Sequence, residues 1–221
     1  MTAELWSRVD GYIVEKLVQE DDALAAALDA NSVAGLPAID VSTAQGKFLN
    51  LMVRITGARR VLELGTLGGY STIWMARALP SDGELVTLEF DPRHAEVARL
   101  NIDRAGVGDK VTIHVGAAAE TLPELAAQQP KPFDFIFIDA DKPNNPVYLD
   151  WAVKLSRPGT VIILDNVIRD GKVLEPGNAD PRIIGTRAAY DRIGSHPRLD
   201  ATVLQTVGAK GWDGFAIMIV D

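Results

Sequence analysis

The chain contains no cysteine in its 221 residues. Without thiols it has no disulfide framework, no thiolate metal site and no cysteine nucleophile, which is typical of a protein from a reducing compartment. The first residues lack the basic region and apolar stretch of a secretory signal. No apolar run reaches the roughly 18 residues of a membrane span. We therefore expect a soluble, cytoplasmic protein with no membrane partner.

Positive charge and histidine are also scarce. The chain has 22 Lys and Arg against 30 Asp and Glu, a formal net charge of −8, and its basic residues are dispersed. A nucleic-acid-binding surface is normally a basic patch or stripe, so a nucleic-acid partner is disfavoured. The histidines His94, His114 and His196 are scattered, with no acid and nucleophile arranged around them in the sequence. They give no sign of a catalytic triad.

What the chain has instead is a regular alternation of short β-branched runs with longer helical patterns. This alternation is typical of βαβ units and a mostly parallel sheet. The length and a hydrophobic content of 47% favour one domain over residues 1–221. The predicted strands are Arg60–Leu64, Glu84–Phe90, Val111–Val115, Phe133–Ile138, Thr160–Leu164, Ala201–Thr206 and Phe215–Val220.

The last two strands are separated only by the Gly-rich stretch Val207–Gly214, which is too short for a crossover helix. We therefore expect an antiparallel C-terminal hairpin on a doubly wound, seven-stranded Rossmann-like sheet. Residues 59–221 form this predicted core, and residues 1–58 form a predicted helical cap. The predicted helices are Trp6–Gln19, Asp22–Asn31, Ala44–Thr56, Tyr70–Leu79, Pro92–Ala105, Ala118–Ala127, Pro146–Leu155 and Arg182–Ser195.

Acidic clusters follow two of the predicted strands at the point where each strand ends. One is FDFIFIDADK, Phe133–Lys142, and the other is VIILDN, Val161–Asn166. Carboxylate and amide oxygens are the ligands that hard divalent cations prefer, and a nearby amine suggests metal-assisted chemistry on a hydroxyl. The side chains that these clusters bring to one edge of the sheet are Asp139, Lys142, Asp165 and Asn166.

A glycine-rich turn follows the first predicted strand in VLELGTLGGYS, Val61–Ser71. A strand, a glycine turn and a helix start present backbone N–H groups to a ligand. The glycines Gly65, Gly68 and Gly69 do not have the GxGxxG spacing of a dinucleotide site. The acidic Glu63 would repel a pyrophosphate but attract a cationic amino group, such as that of a sulfonium cofactor with an amino-acid tail.

Two further strand ends suggest a nucleoside. In LEFD, Glu89 ends the second strand, where an acid accepts hydrogen bonds from ribose hydroxyls in doubly wound sheets. In VGAAAE, Val115–Glu120, small residues open a helix and leave room for a flat adenine against the backbone.

Together, ELGTLGGYS, LEFD, VGAAAE, FIDADK and ILDN resemble the cation-dependent O-methyltransferases, the caffeoyl-CoA and catechol group, and especially its small bacterial members. The resemblance runs from about Ile39 to the C-terminus. It implies S-adenosylmethionine as methyl donor and a homodimer. The cofactor-binding residues that it implies are Val41, Glu63, Gly65, Tyr70, Ser71, Glu89, Phe90, Ala117, Ala118 and Asp139.

The resemblance also implies a metal site and a catalytic site. Asp139, Asp165 and Asn166 match the metal ligands, and Lys142 matches the general base, so that Lys142 and Asp139 form the catalytic pair. Magnesium is the first expectation, with calcium or manganese as substitutes, because no His or Cys is available for zinc or copper.

The predicted reaction moves a methyl group to a metal-coordinated hydroxyl of a small, catechol-like acceptor. Ala140 and Asp141 stand where the catechol enzymes have an aromatic pair, which weakens the case for catechol itself. The alternatives are a hydroxylated tRNA base as acceptor, a non-catalytic cofactor-binding protein and a nicotinamide dehydrogenase. We expect the acceptor pocket between the N-terminal helices, the loop Gly171–Pro181 and the predicted turn KGWDG, which contains Trp212 and Asp213.

Overall fold

The computed structural model describes residues 2–128 and 131–221. None of the helices in these two ranges is long and apolar enough to cross a membrane. The α-helices are α1 (Ala3–Leu17), α2 (Asp22–Val33), α3 (Thr43–Ile55), α4 (Tyr70–Ala78), α5 (Pro92–Arg104), α6 (Ala118–Ala127), α7 (Asn145–Lys154) and α8 (Pro181–Ser195). The strands are β1 (Arg60–Leu64), β2 (Glu84–Glu89), β3 (Val111–Val115), β4 (Phe133–Ile138), β5 (Ser156–Asp165), β6 (Leu199–Gly208) and β7 (Gly211–Val220).

The strands form one sheet in the order β3-β2-β1-β4-β5-β7-β6. Strands β1 to β5 pair in parallel, whereas β7 pairs antiparallel with both β5 and β6. The chain moves outward from β1 to β3 and then returns to the other side of β1 with β4. In doubly wound sheets, ligands bind at the carboxyl ends of the strands where the order reverses. This topology confirms the predicted fold and directs attention to the ends of β1 and β4.

The central strands β1, β2 and β4 are buried on both faces, because their side chains point alternately into two layers of helices. In β1, Val61 packs on the face covered by α3, α4 and α5, whereas Leu62 and Leu64 pack on the face covered by α6, α7 and α8. The period of two places Glu63 on the same face as Val61. An acidic residue is therefore carried into the hydrophobic layer beneath α4.

The predicted Gly-rich loop between the last two strands is wrong. Only Ala209 and Lys210 lie between β6 and β7, whose pairing continues to Gly208 opposite Gly211. Gly211, directly after these two residues, has a φ of +96°, a left-handed conformation that glycine adopts without steric cost and that often follows a hairpin turn. Trp212 and Asp213 consequently belong to β7.

The N-terminal helices pack against elements of the sheet layer. α2 contacts α5, α3 contacts α4, and α1 contacts β6. At the end of α2, the side chain of Asn31 donates to Asp40 at 2.8 Å and accepts from Asn101 of α5 at 3.1 Å. Asn101 also donates to the carbonyl of Gly68 at 2.9 Å. These bonds fix the segment before α3 next to the glycine turn after β1.

Candidate active site

A cavity of about 750 Å³ lies over the carboxyl ends of the central strands. A second cavity of about 380 Å³ adjoins it and shares part of its wall. The larger cavity is lined by most of the side chains that the sequence singled out: Val41, Gly65, Tyr70, Ser71, Glu89, Phe90, Ala117, Ala118, Asp139, Lys142 and Asn166. Asp165 lines the second cavity together with Asp139 and Asn166. Glu63 lines neither.

Gly65 allows the turn after β1 to approach the end of β4. Its φ is +94°, and a Cβ atom there would lie 2.3 Å from the carbonyl oxygen of Asp139. Both the backbone conformation and the contact exclude a side chain. Glycine is therefore required here so that the ends of β1 and β4 can pack closely. This packing places the turn after β1 next to Asp139.

Glu63 lies in β1, as predicted, but behind the wall of the cavity and not on it. Its carboxyl is fully buried and accepts hydrogen bonds from Ser71 at 2.5 Å, Thr72 at 2.5 Å and Thr87 at 2.8 Å. Burial raises the pKa of Glu63 to about 7, against the opposing effect of the three hydroxyl donors. The contact of Glu63 with a cofactor amino group, expected from the sequence, stays a prediction. Glu63 reaches the cavity through Ser71, which lines it.

Glu89 faces the cavity as an oriented carboxylate. One oxygen accepts from the backbone N–H groups of Thr66 at 3.1 Å and Leu67 at 2.7 Å. The other accepts from Asp91 N–H at 3.0 Å and lies 3.3 Å from Nδ1 of His94. These bonds hold Glu89 across the turn after β1, with 6% of its surface exposed. Remaining lone pairs of this carboxylate are available for hydroxyl donors.

The apolar end of the cavity lies beside Glu89. Phe90 is 76% exposed and stands at the rim. Ala117 and Ala118 line the same end, and Ala118 begins α6. Tyr70 is held by hydrogen bonds to Thr43 at 3.1 Å and to Glu20. Burial and Glu20 raise the pKa of Tyr70 to about 12, so its hydroxyl stays protonated.

The opposite end carries the acidic cluster. Lys142 donates to Asp139 at 2.6 Å and is only 7% exposed. Asp165 is 5% exposed and accepts from the Gln45 side-chain amide at 2.7 Å and from the Asn166 backbone at 2.9 Å. Burial, together with repulsion from Asp139, raises the pKa of Asp165 to about 7. Lys142 forms its ion pair with Asp139, and Asp165 forms no ion pair within the described ranges.

The third member of the cluster is an amide. Asn166 has a φ of +59°, a left-handed conformation that costs free energy for residues other than glycine and is common at functional sites. No three His, Cys, Asp or Glu side chains in the described ranges cluster to hold a metal ion. Two carboxylates, Asp139 and Asp165, and the Asn166 amide do line one cavity. All three supply oxygen, which fits magnesium, calcium or manganese.

Several contacts in the site had no signal in the sequence. Gln45 reaches Asp165 from a position 120 residues away in the chain. Tyr148 of α7 donates to Asp141, which also accepts from Asn144 at 2.7 Å. Such pairs are brought together only by the packing of α3 and α7 on the sheet. Motif spacing does not show them.

Trp212 and Asp213 line the second cavity, although they lie in a strand and not in the predicted turn. Trp212 donates through Nε1 to Gln205 at 3.0 Å. The carboxylate of Asp213 accepts from the backbone of Ile168 at 2.9 Å and Arg169 at 3.0 Å. The hairpin therefore shapes the segment that follows β5.

Comparison with known proteins agrees with this geometry. A family model described as O-methyltransferase matches residues 15–214. The chain is 53% identical over 220 residues to a protein named catechol O-methyltransferase from Niastella koreensis, with 100% of both chains covered. It is 54% identical over 212 residues to a protein of the same name from Mycobacterium tuberculosis, with 96% of this chain and 94% of the other covered.

A solved structure extends the likeness to three dimensions. The crystal structure of the O-methyltransferase from Bacillus cereus in complex with SAH superposes with a TM-score of 0.98. The two chains are 53% identical, and the match covers 100% of each. The family resemblance seen in the five motifs is confirmed, and the chain belongs to the O-methyltransferase family.

Proposed function

We propose that the protein transfers the methyl group of S-adenosylmethionine to one hydroxyl of a small, catechol-like acceptor, with a divalent cation at the acidic end of the cavity. The observation that carries the proposal is the junction of two differently built ends across two adjoining cavities. One end offers oriented hydrogen-bonding groups around a glycine turn, and the other offers two carboxylates, an amide and a lysine. Asp139 belongs to both ends.

The glycine-turn end suits the cofactor. SAH, bound by the Bacillus cereus relative, is S-adenosylhomocysteine, the product left when S-adenosylmethionine gives up its methyl group. We assign Ser71, Asp139 and the backbone around Val41, Gly65 and Tyr70 to its amino-acid tail. Glu89 would accept from the ribose hydroxyls. Phe90 and the backbone of Ala117 and Ala118 would lie against the adenine.

The acidic end suits a hard cation. Asp139, Asp165 and Asn166 would hold it, and magnesium fits their oxygen donors best, with calcium or manganese as substitutes. Burial and, after it, the negative charge of Asp139 raise the pKa of Asp165, and a cation beside both carboxylates would offset their repulsion. When bound, such a cation lowers the pKa of a nearby hydroxyl and helps to orient it.

Lys142 would take the proton from the acceptor hydroxyl. Its Nζ lies at the cavity wall, held 2.6 Å from Asp139, and this contact restricts the side chain to one orientation. Burial of the lysine excludes water from its apolar stem. The lysine must be the neutral amine to accept this proton. It would do so as the hydroxyl oxygen attacks the methyl carbon, and the sulfonium would leave as a neutral thioether.

The catechol-like acceptor is supported by the names of the two relatives from Niastella koreensis and Mycobacterium tuberculosis. The direct experiment incubates the purified chain with S-adenosylmethionine and catechol, with magnesium or with excess EDTA, and detects methylated product by mass spectrometry. We expect turnover only with magnesium. Equal turnover in EDTA would refute the cation, and absence of calorimetric binding of S-adenosylhomocysteine would refute the cofactor.

Two parallel measurements address the other predictions. Bulk tRNA in place of catechol tests the nucleic-acid alternative, which the net charge of −8 disfavours. The homodimer implied by the family resemblance stays a prediction, and light scattering on the purified chain tests it.

A further inference from the structure

Arg169 lies where the two cavities meet. Both Arg169 and Arg182 line the larger and the smaller cavity. Arg182 is engaged, because its guanidinium contacts both oxygens of Asp180 at 2.6 to 3.1 Å. Arg169 forms no side-chain hydrogen bond or ion pair within the part of the chain that the structure describes. Its Nε is buried without a partner.

The backbone at Arg169 is held in a conformation that is unfavourable in itself. Arg169 has a φ of +57° and Asp170 a φ of +54°, both in the left-handed region that costs residues other than glycine about 1 kcal/mol or more. Asp213 fixes this turn by accepting from the N–H groups of Ile168 and Arg169. A contact from Asp170 N–H to the Trp212 carbonyl at 3.2 Å adds a second anchor. The fold therefore maintains strain that keeps Arg169 at the cavity wall.

Buried polar groups are nearly always hydrogen-bonded. Arg60 and Arg99 also bury a guanidinium nitrogen without a partner, but both form ion pairs and neither lines the two cavities. Asp180 lies close enough to Arg169 for the arginine to help lower its pKa. Arg182 is the main cause of that shift and already occupies both oxygens of Asp180. The fork of Arg169 is free for a planar anion, and a carboxylate matches its geometry with two parallel hydrogen bonds.

We propose that Arg169 binds a carboxylate on the acceptor, so that the preferred substrates are catechols carrying an acidic group on the ring or on a short side chain. This inference rests on the proposed function and narrows its acceptor class. A chain with a net charge of −8 repels anions at long range. Recognition of an acidic acceptor therefore needs a local cation that is not already paired. Arg169 acts on specificity and takes no part in proton transfer.

The test compares two acceptors that differ only in charge, 3,4-dihydroxybenzoate and 3,4-dihydroxybenzamide. The value of kcat/KM is measured for each with the unmodified enzyme, Arg169→Gln and Arg169→Lys, in saturating S-adenosylmethionine and magnesium. Arg54→Gln is the matched control, because Arg54 is an exposed arginine in the last turn of α3 and lines neither cavity. Thermal unfolding checks that each variant is folded.

We expect the unmodified enzyme to prefer the benzoate by about 10-fold or more. Arg169→Gln should lose about 10- to 100-fold in kcat/KM on the benzoate, mainly through KM, and less than about 2-fold on the benzamide. Arg169→Lys should keep part of the preference, since it keeps the charge without the fork. Arg54→Gln should leave the preference unchanged.

Equal turnover of both acceptors by the unmodified enzyme would overturn the inference and leave the proposed function intact. Equal losses on both acceptors in Arg169→Gln would also overturn it, because they would assign the residue a structural role. Failure of the unmodified enzyme to methylate either acceptor would overturn the proposed function, and this inference with it.

Discussion

Two buried carboxyl groups, those of Glu63 and Asp165, lie at the same edge of the sheet but have different surroundings. Glu63, at the end of β1, is surrounded by three hydroxyls that it accepts from, and it lines no cavity. Asp165, at the end of β5, has one side-chain amide donor and one backbone donor and lies near Asp139. Both carboxyls have a pKa raised to about 7.

The two carboxyl groups differ in how far the protein itself supplies their hydrogen-bond and charge partners. Glu63 has its hydrogen-bonding capacity met by the protein, so it serves to place other side chains, above all Ser71. The pKa of Asp165 is raised by burial and then by the negative charge of Asp139, against the opposing charge of Lys142. Asp165 forms no ion pair within the described ranges, and it lines a cavity. A raised pKa alone therefore does not identify a ligand site. The deciding features are an unmet charge and access to a cavity.

The largest expected effect comes from removing the unmet charge. Asp165→Ala takes away a predicted ligand of the cation, so we expect magnesium-dependent turnover of catechol to fall by about 1000-fold, the upper range for loss of an electrostatic stabiliser. Affinity for S-adenosylhomocysteine, measured by calorimetry, should change less than about 3-fold. Asp134→Ala is the matched control, because Asp134 is paired with Arg157 at the opposite edge of the sheet.

The control should lose stability and keep turnover that depends on magnesium. If Asp165→Ala retained such turnover, or if it lost cofactor affinity to the same extent, the acidic cluster would not be the separate site that the comparison assumes.

The next effect concerns the amine in the same cluster. Lys142→Met keeps the length of the side chain and removes its charge and its basic nitrogen. We expect kcat to fall by about 100-fold, the lower range for loss of a general base, with little change in cofactor affinity. Lys154→Met, on the exposed side of α7, controls for the substitution itself. A loss that appears in KM alone would make Lys142 a binding residue.

The sequence predicted the fold because its signals are local. Hydrophobic runs that end in Asp139 and Asp165 predicted neighbouring strand ends, and pairing of β1, β4 and β5 confirmed it. The hairpin turn was misjudged because Gly208, Gly211 and Gly214 suggest a loop by composition. In the structure, Gly214 serves close packing: a Cβ atom there would lie 2.3 Å from the Leu204 carbonyl oxygen.

The burial of Glu63 and the contact of Gln45 with Asp165 could not be predicted from the sequence, for a different reason. A glutamate in a strand followed by a glycine turn suggests a ligand contact, but its exposure depends on which side chains cover it. Thr87 comes from the neighbouring strand, paired directly with Glu63. Gln45 comes from a helix before the sheet. Such tertiary partners follow from packing, which residue spacing alone does not encode.

A smaller effect distinguishes two hydroxyls on the same carboxyl. Ser71 and Thr72 both donate to Glu63 at 2.5 Å, but only Ser71 lines the cavity. Ser71→Ala and Thr72→Ala should each lower the free energy of unfolding by about 1 kcal/mol, measured by urea denaturation. Only Ser71→Ala should weaken S-adenosylhomocysteine binding, by about 10-fold. Equal weakening in both variants would contradict the indirect role assigned to Glu63.

The smallest effect concerns how the free energy of unfolding depends on pH, and it tests whether Glu63 holds a proton in the folded chain. In the folded chain the pKa of Glu63 rises from its ordinary 4.5 to about 7. Between these values the folded state keeps a proton that the unfolded state has lost, so the free energy of unfolding falls as pH rises from 4.5 to 7. Glu63→Gln has no proton to lose and should show a shallower fall, by on the order of 1 kcal/mol between pH 5 and 7.5 in EDTA. If the free energy of unfolding of Glu63→Gln fell with pH as steeply as that of the unmodified chain, Glu63 would be ionised in both the folded and the unfolded state. The three hydroxyl donors would then outweigh the effect of burial on its pKa, and the pH dependence would come from Asp165.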